Sequence, residues 1–185
     1  MGMHHLEMEE HLIGEVIRMK KYYLAYGSNL NLEQMKRRCP NAKPIGTGVI
    51  WGYKLAFIGN DYHAFLNIVK CDKGAVVTPV AVWEVDNNDI ESLDRYEGYP
   101  DFYRKEDFEI TLTSLDKKTQ KNITGYAYVM TDKYSRHYSM PENYYFLTVL
   151  KGYLDFRFDI QYLKDVMADS LEEYINEKSK QMSEM

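Results

Sequence analysis

Tyr22 to Asn31 reads YYLAYGSNLN, a run that begins as one kind of structure and ends as another. Tyr22 to Tyr26 is aromatic and apolar throughout, which reads as a buried strand. Gly27-Ser28-Asn29 then interrupts it. Asn31 suits a helix N-cap, with Gln34 three residues on as its capping-box partner. Leu32, Met35 and Cys39 follow at helical spacing and Pro40 closes the helix. The unit is strand, glycine-containing loop, helix. Such a loop is either an ordinary turn or a backbone cradle for a ligand, set between a buried strand and the open end of a helix.

Downstream, VIWGYKLAF alternates: Val49, Trp51, Tyr53, Leu55 and Phe57 share one face of what reads as one long strand. FLNIVK and VVTPVAVWEV are two more strands, separated by a turn at Asp72-Lys73-Gly74. Pro79 places its part of the second on an edge or bulge. In VDNNDIESLDRYEGYP, Asp86 is an N-cap, Asp89 and Glu91 suit a first turn, and Gly98 with Pro100 ends the helix. FEITLTSL and ITGYAYVMT form a hairpin across Asp116 to Lys121. From Pro141 the chain reads as two helices, the second capped by Asp159 with a stripe of Ile160, Leu163, Met167, Leu171 and Tyr174. Strands dominate the middle and helices the end. The expected class is α+β, a small mixed β-barrel with inserted helices and C-terminal helices.

The chain has 185 residues, enough for one domain with a sizeable core. Residues 1–21 read as an N-terminal extension and 22–185 as a single domain. A net charge of -5, with both signs interspersed, lacks the basic stripe that nucleic acid requires. No apolar run approaches the roughly 20 residues of a membrane span, and the N-terminal stretch carries acids and histidines where a signal peptide is apolar. A cytoplasmic protein is expected, without nucleic-acid or membrane partners. Cys39 and Cys71 form no disulfide framework and lack metal spacing, and the histidines cluster only at His4 and His5. They read as ordinary thiols, with no metal site. The 17 tyrosines suit positions with one apolar side and a polar tip, such as barrel interiors and pockets.

One carboxylate sits on the wrong face. At about 100° per residue, with Ile90 at zero, Leu93 falls at about 300° and Glu97 at about 340°. Glu97 therefore lies inside the apolar stripe, whereas Asp94, at about 40°, is at its edge. Burial and the C-terminal end of the helix dipole both push a carboxyl's pKa up, toward that of a general base working near neutral pH. The same spacing also fits a carboxylate paired with Arg95, Arg104 or Lys105, or a helix that frays before it.

Three stretches, YYLAYGSNL, RRCPNAKPIGTGVIWGYKLAF and VAVWEVDNNDIESLDRYEGYPDFYRKEDFEI, resemble the gamma-glutamylcyclotransferase family in order and spacing. The likeness runs from about Tyr22 to Met130. It implies a barrel-centred fold with a pocket at one end. The family's substrate loop corresponds to Tyr26, Gly27, Ser28, Asn29 and Leu30, its catalytic glutamate to Glu97, and a substrate-binding tyrosine to Tyr128. The implied activity is an amide-cleaving acyl transfer, classed as a transferase or lyase, acting on a γ-glutamyl amino acid or amine. The substrate's own α-amino group attacks the γ-carbonyl and closes 5-oxoproline, so no cofactor is needed. Glu97 carries the protons, and the loop amides hold the α-carboxylate or the oxyanion.

Where many members have a Gly-Gly-x-Ala-Thr type of strand, this chain has Ala64-Phe65-Leu66-Asn67, and Ala81 stands where glycine is frequent. The loop's length points away from the glutathione-specific branch. The other readings are a non-catalytic small-ligand-binding or regulatory protein on the same fold, and an interaction module built on the acidic C-terminal helix. A monomer or homodimer is expected.

Overall fold

The computed structural model describes residues 20–60, 63–72 and 76–184. In chain order the elements are β1 (Lys21–Ala25), α1 (Leu32–Arg38), β2 (Lys43–Trp51), β3 (Tyr53–Gly59), β4 (Ala64–Lys70), β5 (Val77–Val85) and α2 (Asn87–Glu97). They continue with β6 (Tyr103–Ser114), β7 (Gln120–Met130), β8 (His137–Tyr138), α3 (Asn143–Phe156) and α4 (Ile160–Ser183).

Five strands close a barrel in the order β1-β5-β2-β6-β7. Four of its pairings are antiparallel; β1 meets β7 in parallel, with Tyr23 opposite Tyr126, and that contact completes the ring. A second sheet, β4-β3-β8, stands beside it. This is the expected α+β fold with a small mixed barrel. Leu24, Val80, Val82 and Ala127 are fully buried in barrel strands, and Phe57 and Leu66 of the second sheet and Val149, Tyr153 and Leu163 of the C-terminal helices are buried as well.

VIWGYKLAF is not one strand. Gly52, at φ 75°, ends β2 and starts β3, a left-handed conformation that glycine adopts at little cost. Its N–H donates to Val76 O at 2.9 Å and its carbonyl accepts from Cys71 N at 2.8 Å. The two halves then join different sheets: β2 pairs with β5 and β6, β3 with β4 and β8. The expected alternation fails with them, since Ile50 is buried and Trp51 exposed.

Pro79 lies in a strand with neighbours on both sides, but β1 ends at the Ala25–Ala81 pair, so only β2 runs beside the proline. Of the expected turn at 72–74, Lys73 and Gly74 lie outside the described residues, as do residues 1–19 of the extension. The last helix buries Leu163, Val166 and Ser170, whereas Leu171 is exposed. Ser170 takes the place of an apolar side chain because its hydroxyl accepts the Phe57 N–H at 3.0 Å, satisfying a buried backbone donor. No helix among the described residues is long and apolar enough to cross a membrane.

Candidate active site

After β1 the chain leaves the barrel through Tyr26 and Gly27 and makes a short 3-10 turn, Ser28–Leu30, before α1. Leu30 N donates to Gly27 O at 3.0 Å and Asn31 N to Ser28 O at 3.1 Å. As first donors of that turn, the amides of Ser28 and Asn29 have no acceptor within it. Asn31 caps α1, accepting from Gln34 N at 2.9 Å. The Gln34 side chain does not return to the cap; it donates to Ser28 O at 2.7 Å and pins the loop instead.

The second half of the site is the end of α2. Its start is fixed by a capping box between Asp86 and Asp89, and its end by Gly98 at φ 64°. Between these caps the helical phase aims Glu97 at the loop. Asn29 Nδ2 donates to Glu97 Oε1 at 2.8 Å and to Tyr23 Oη at 2.9 Å. Asn29 Oδ1 accepts from Arg38 Nη1, and the Arg38 guanidinium lies 3.1 Å from the centroid of the Tyr96 ring. Both amide hydrogens of Asn29 and its oxygen are thus committed, so its side chain orients Glu97.

Burial pushes the Glu97 carboxyl from 4.5 up to about 7, against the opposing pull of the Arg38 charge and the Asn29 hydrogen bond. Other expected partners for Glu97 are engaged elsewhere. Arg95 donates to Ser92 Oγ at 3.3 Å, Arg104 pairs with Glu106 at 2.6 Å and Lys105 with Asp94 at 2.6 Å. The alternative that one of the three neutralises Glu97 does not hold.

Tyrosines wall the space around this carboxylate. Tyr26 donates to Tyr128 O, and Tyr128 donates to Asp94 Oδ1 at 2.6 Å. Tyr103 donates to Leu66 O at 3.2 Å, and Tyr145 accepts from Leu66 N at 3.0 Å. Burial raises the pKa of all four phenols, which stay protonated at neutral pH. An inner recess of about 30 Å³ is bordered by Tyr26, Gly27, Ser28, Asn29, Glu97 and Tyr128. It adjoins an outer cavity of about 420 Å³ that shares Ser28, Glu97, Tyr103 and Tyr145.

The fold therefore brings together Tyr26, Gly27, Ser28, Asn29, Glu97 and Tyr128. Leu30 is placed differently. It is fully buried beneath α3, where a Cβ on Gly152 would come within 2.3 Å of Leu30 Cβ. Sequence reasoning missed Arg38, Tyr103 and Tyr145, which reach the site from three separate elements. Arg38 had been only the end of a helix before Pro40. Cys39 is a buried thiol pushed up to about 12 by burial, with Sγ 3.6 Å from Asp89 O. Among the described residues no three His, Cys, Asp or Glu side chains converge to hold a metal ion.

The sequence matches the family described as gamma-glutamyl cyclotransferase, AIG2-like, over residues 23–146, and the chain belongs to that family. A solved structure named gamma-glutamyl cyclotransferase is 23% identical with a TM-score of 0.65, covering 80% of this chain and 86% of that one. An uncharacterized protein from Homo sapiens is 24% identical with a TM-score of 0.62 and the same coverage, 80% and 86%. A yeast gamma-glutamyl cyclotransferase specific to glutathione is 10% identical with a TM-score of 0.57, covering 84% and 96%. At these identities the likeness establishes the fold. No curated protein matches the sequence significantly.

Proposed function

We propose that the protein is a gamma-glutamylcyclotransferase that converts a γ-glutamyl amino acid or γ-glutamyl amine to 5-oxoproline and the free amine. The observation that carries this reading is Glu97: a carboxyl raised to about 7, held by the loop after β1 and bordering both the inner recess and the outer cavity. Family membership supports it.

In this account the inner recess, about 30 Å³ in volume, takes the small α-carboxylate end of the substrate. The Ser28 and Asn29 amides, which have no acceptor within the turn, are its donors. The remainder of the substrate occupies the outer cavity. The α-ammonium gives a proton to the Glu97 carboxylate, and the freed amine attacks the γ-carbonyl carbon. A C–N bond forms, closing a five-membered ring and placing negative charge on the carbonyl oxygen. Collapse restores the carbonyl, breaks the original amide C–N bond and passes the proton from Glu97 to the departing nitrogen; the ring nitrogen's second proton then passes through Glu97 to the released amine, which leaves as an ammonium and frees the carboxylate. A carboxyl near pH 7 exchanges a proton in both directions at neutral pH, typically worth about 10²–10⁴-fold. The larger gain comes from folding the chain so that amine and carbonyl meet.

The test is product identity. A γ-glutamyl substrate is expected to give 5-oxoproline, and the same compound N-acetylated on its α-amine to be inert. Release of glutamate, or cleavage of the acetylated compound, would mean that water is the nucleophile and the reading is wrong.

A further inference from the structure

The outer cavity has a composition that selects among leaving groups. Besides Glu97 no charged side chain borders it. Its wall is a set of aromatic contacts: Phe65 meets Phe102 edge-on at 6.1 Å and Tyr145 edge-on at 5.1 Å. Phe102 is braced from behind by Tyr134 at 4.5 Å. The Tyr103 hydroxyl proton is tied to Leu66 O, whereas Tyr145 accepts from Leu66 N and keeps its own proton, a neutral donor at the cavity's edge. An anionic side chain entering this space would lose its hydration and meet no cation, only neutral hydroxyls. A cationic one would compete for Glu97, the proton carrier.

A second groove of about 240 Å³ opens on the far side of Tyr96 and Tyr145, sharing those two residues and Ser28 with the outer cavity. Its character is opposite, for Arg37 and Arg38 line it. Arg38 is committed to Asn29 and to the Tyr96 ring. Arg37 makes no ion pair or hydrogen bond among the described residues. An apolar cavity and a cationic groove thus meet at a shared rim beside Ser28.

We propose that these two spaces form the leaving-group subsite and that it selects γ-glutamyl amino acids whose departing residue has an aromatic side chain. The ring enters the cavity walled by Phe65 and Phe102, where edge-to-face contacts are available. The departing residue's carboxylate turns across the Tyr96 rim to Arg37, which offers a guanidinium fork. This inference rests on the cyclotransferase reading and adds the identity of the leaving group. It also gives Phe65, in the segment that departs from the family's usual small residues, a role in specificity.

The experiment measures kcat/KM for 5-oxoproline release from four compounds: γ-glutamyl-phenylalanine, γ-glutamyl-alanine, γ-glutamyl-glutamate and γ-glutamyl-phenethylamine. The phenylalanine compound is expected to exceed the alanine and glutamate compounds by about 10–100-fold, and the phenethylamine compound, which lacks the carboxylate, by about 10-fold. Arg37 is exposed, so Arg37→Gln leaves folding aside; it should lower the phenylalanine compound to the level of the phenethylamine compound and leave the latter unchanged. Phe65→Leu should shrink the advantage of phenylalanine over alanine. If 5-oxoproline is released equally from all four compounds, or if Arg37→Gln lowers the two aromatic compounds equally, the inference is overturned and the cyclotransferase reading stands. If none of the four yields 5-oxoproline, both fall.

Discussion

Asn29 donates to Glu97 Oε1 at 2.8 Å, and through that bond the loop after β1 fixes the direction of a carboxylate at the end of α2. Arg38, at the end of α1, donates in turn to Asn29 Oδ1. The loop and α1, neighbours in sequence, thus meet the distant end of α2 to orient one acid, and the two residues behind it also oppose its rise in pKa.

Removing the middle member should loosen and further protonate the base. Asn29→Ala is expected to lower kcat by about 10–100-fold, the scale of a lost buried hydrogen bond to a charged group. It should also move the midpoint of the kcat/KM pH profile above about 7, since Asn29 lowers the Glu97 pKa. A profile with its midpoint unmoved would contradict the arrangement.

Arg38 acts on Glu97 by charge and on Asn29 by geometry, and two substitutions separate these. Arg38→Gln removes the charge, so the pH midpoint should rise. Arg38→Lys keeps a charge but not the guanidinium stacked on Tyr96. Its midpoint should stay nearer the wild type while kcat falls. Identical pH profiles for the two variants would rule out the charge effect.

A Cβ at Gly27 would come 3.2 Å from Tyr145 Oη at the mouth of the recess. Gly27→Ala should weaken 5-oxoproline binding by a few-fold, and Gly27→Val, with two further methyl groups, should abolish binding in calorimetry while the circular dichroism spectrum is retained. Wild-type affinity in the valine variant would mean that the loop does not line the ligand site.

The pKa of Glu97 also predicts a stability signature. The folded protein holds this proton more tightly than the unfolded chain, about 7 against 4.5, because the carboxyl is buried. The resulting stabilisation is fully present below about 4.5 and is lost as pH rises through about 7. Glutamine mimics the protonated form at every pH. Glu97→Gln should match the wild type in thermal unfolding near pH 4 and exceed it by roughly 3 kcal/mol at pH 8. Parallel melting curves at both pH values would place the carboxylate in water.

What could be read from the sequence was local. The Asn31 cap, the Asp86 and Gly98 ends of α2 and the Asp159 cap of α4 all depend on neighbours within a few residues, and all are present. The phase of Glu97 relative to Ile90 and Leu93 is equally local, and it pointed into the site. What could not be read was pairing between distant segments. VIWGYKLAF looked continuous because alternation carries no record of which sheet each half joins, and Gly52 could have been a strand glycine. Ser170 stands outside the expected stripe, and its burial depends on Phe57 N, which lies more than a hundred residues away. Arg38 reaches Asn29 by the way α1 turns back on the loop before it, and Tyr145 reaches Leu66 by the packing of α3 on the second sheet; neither contact has a signal in the residue pattern.

The most direct test of the central claim, that Glu97 is the acid and base of ring closure, compares the wild type and Glu97→Gln in turnover and in product binding on the same preparations. The account predicts that 5-oxoproline release falls by about 10²–10⁴-fold while calorimetric affinity for 5-oxoproline stays within a few-fold of the wild type, because glutamine keeps the shape and still accepts from Asn29. Near wild-type turnover by Glu97→Gln would contradict it.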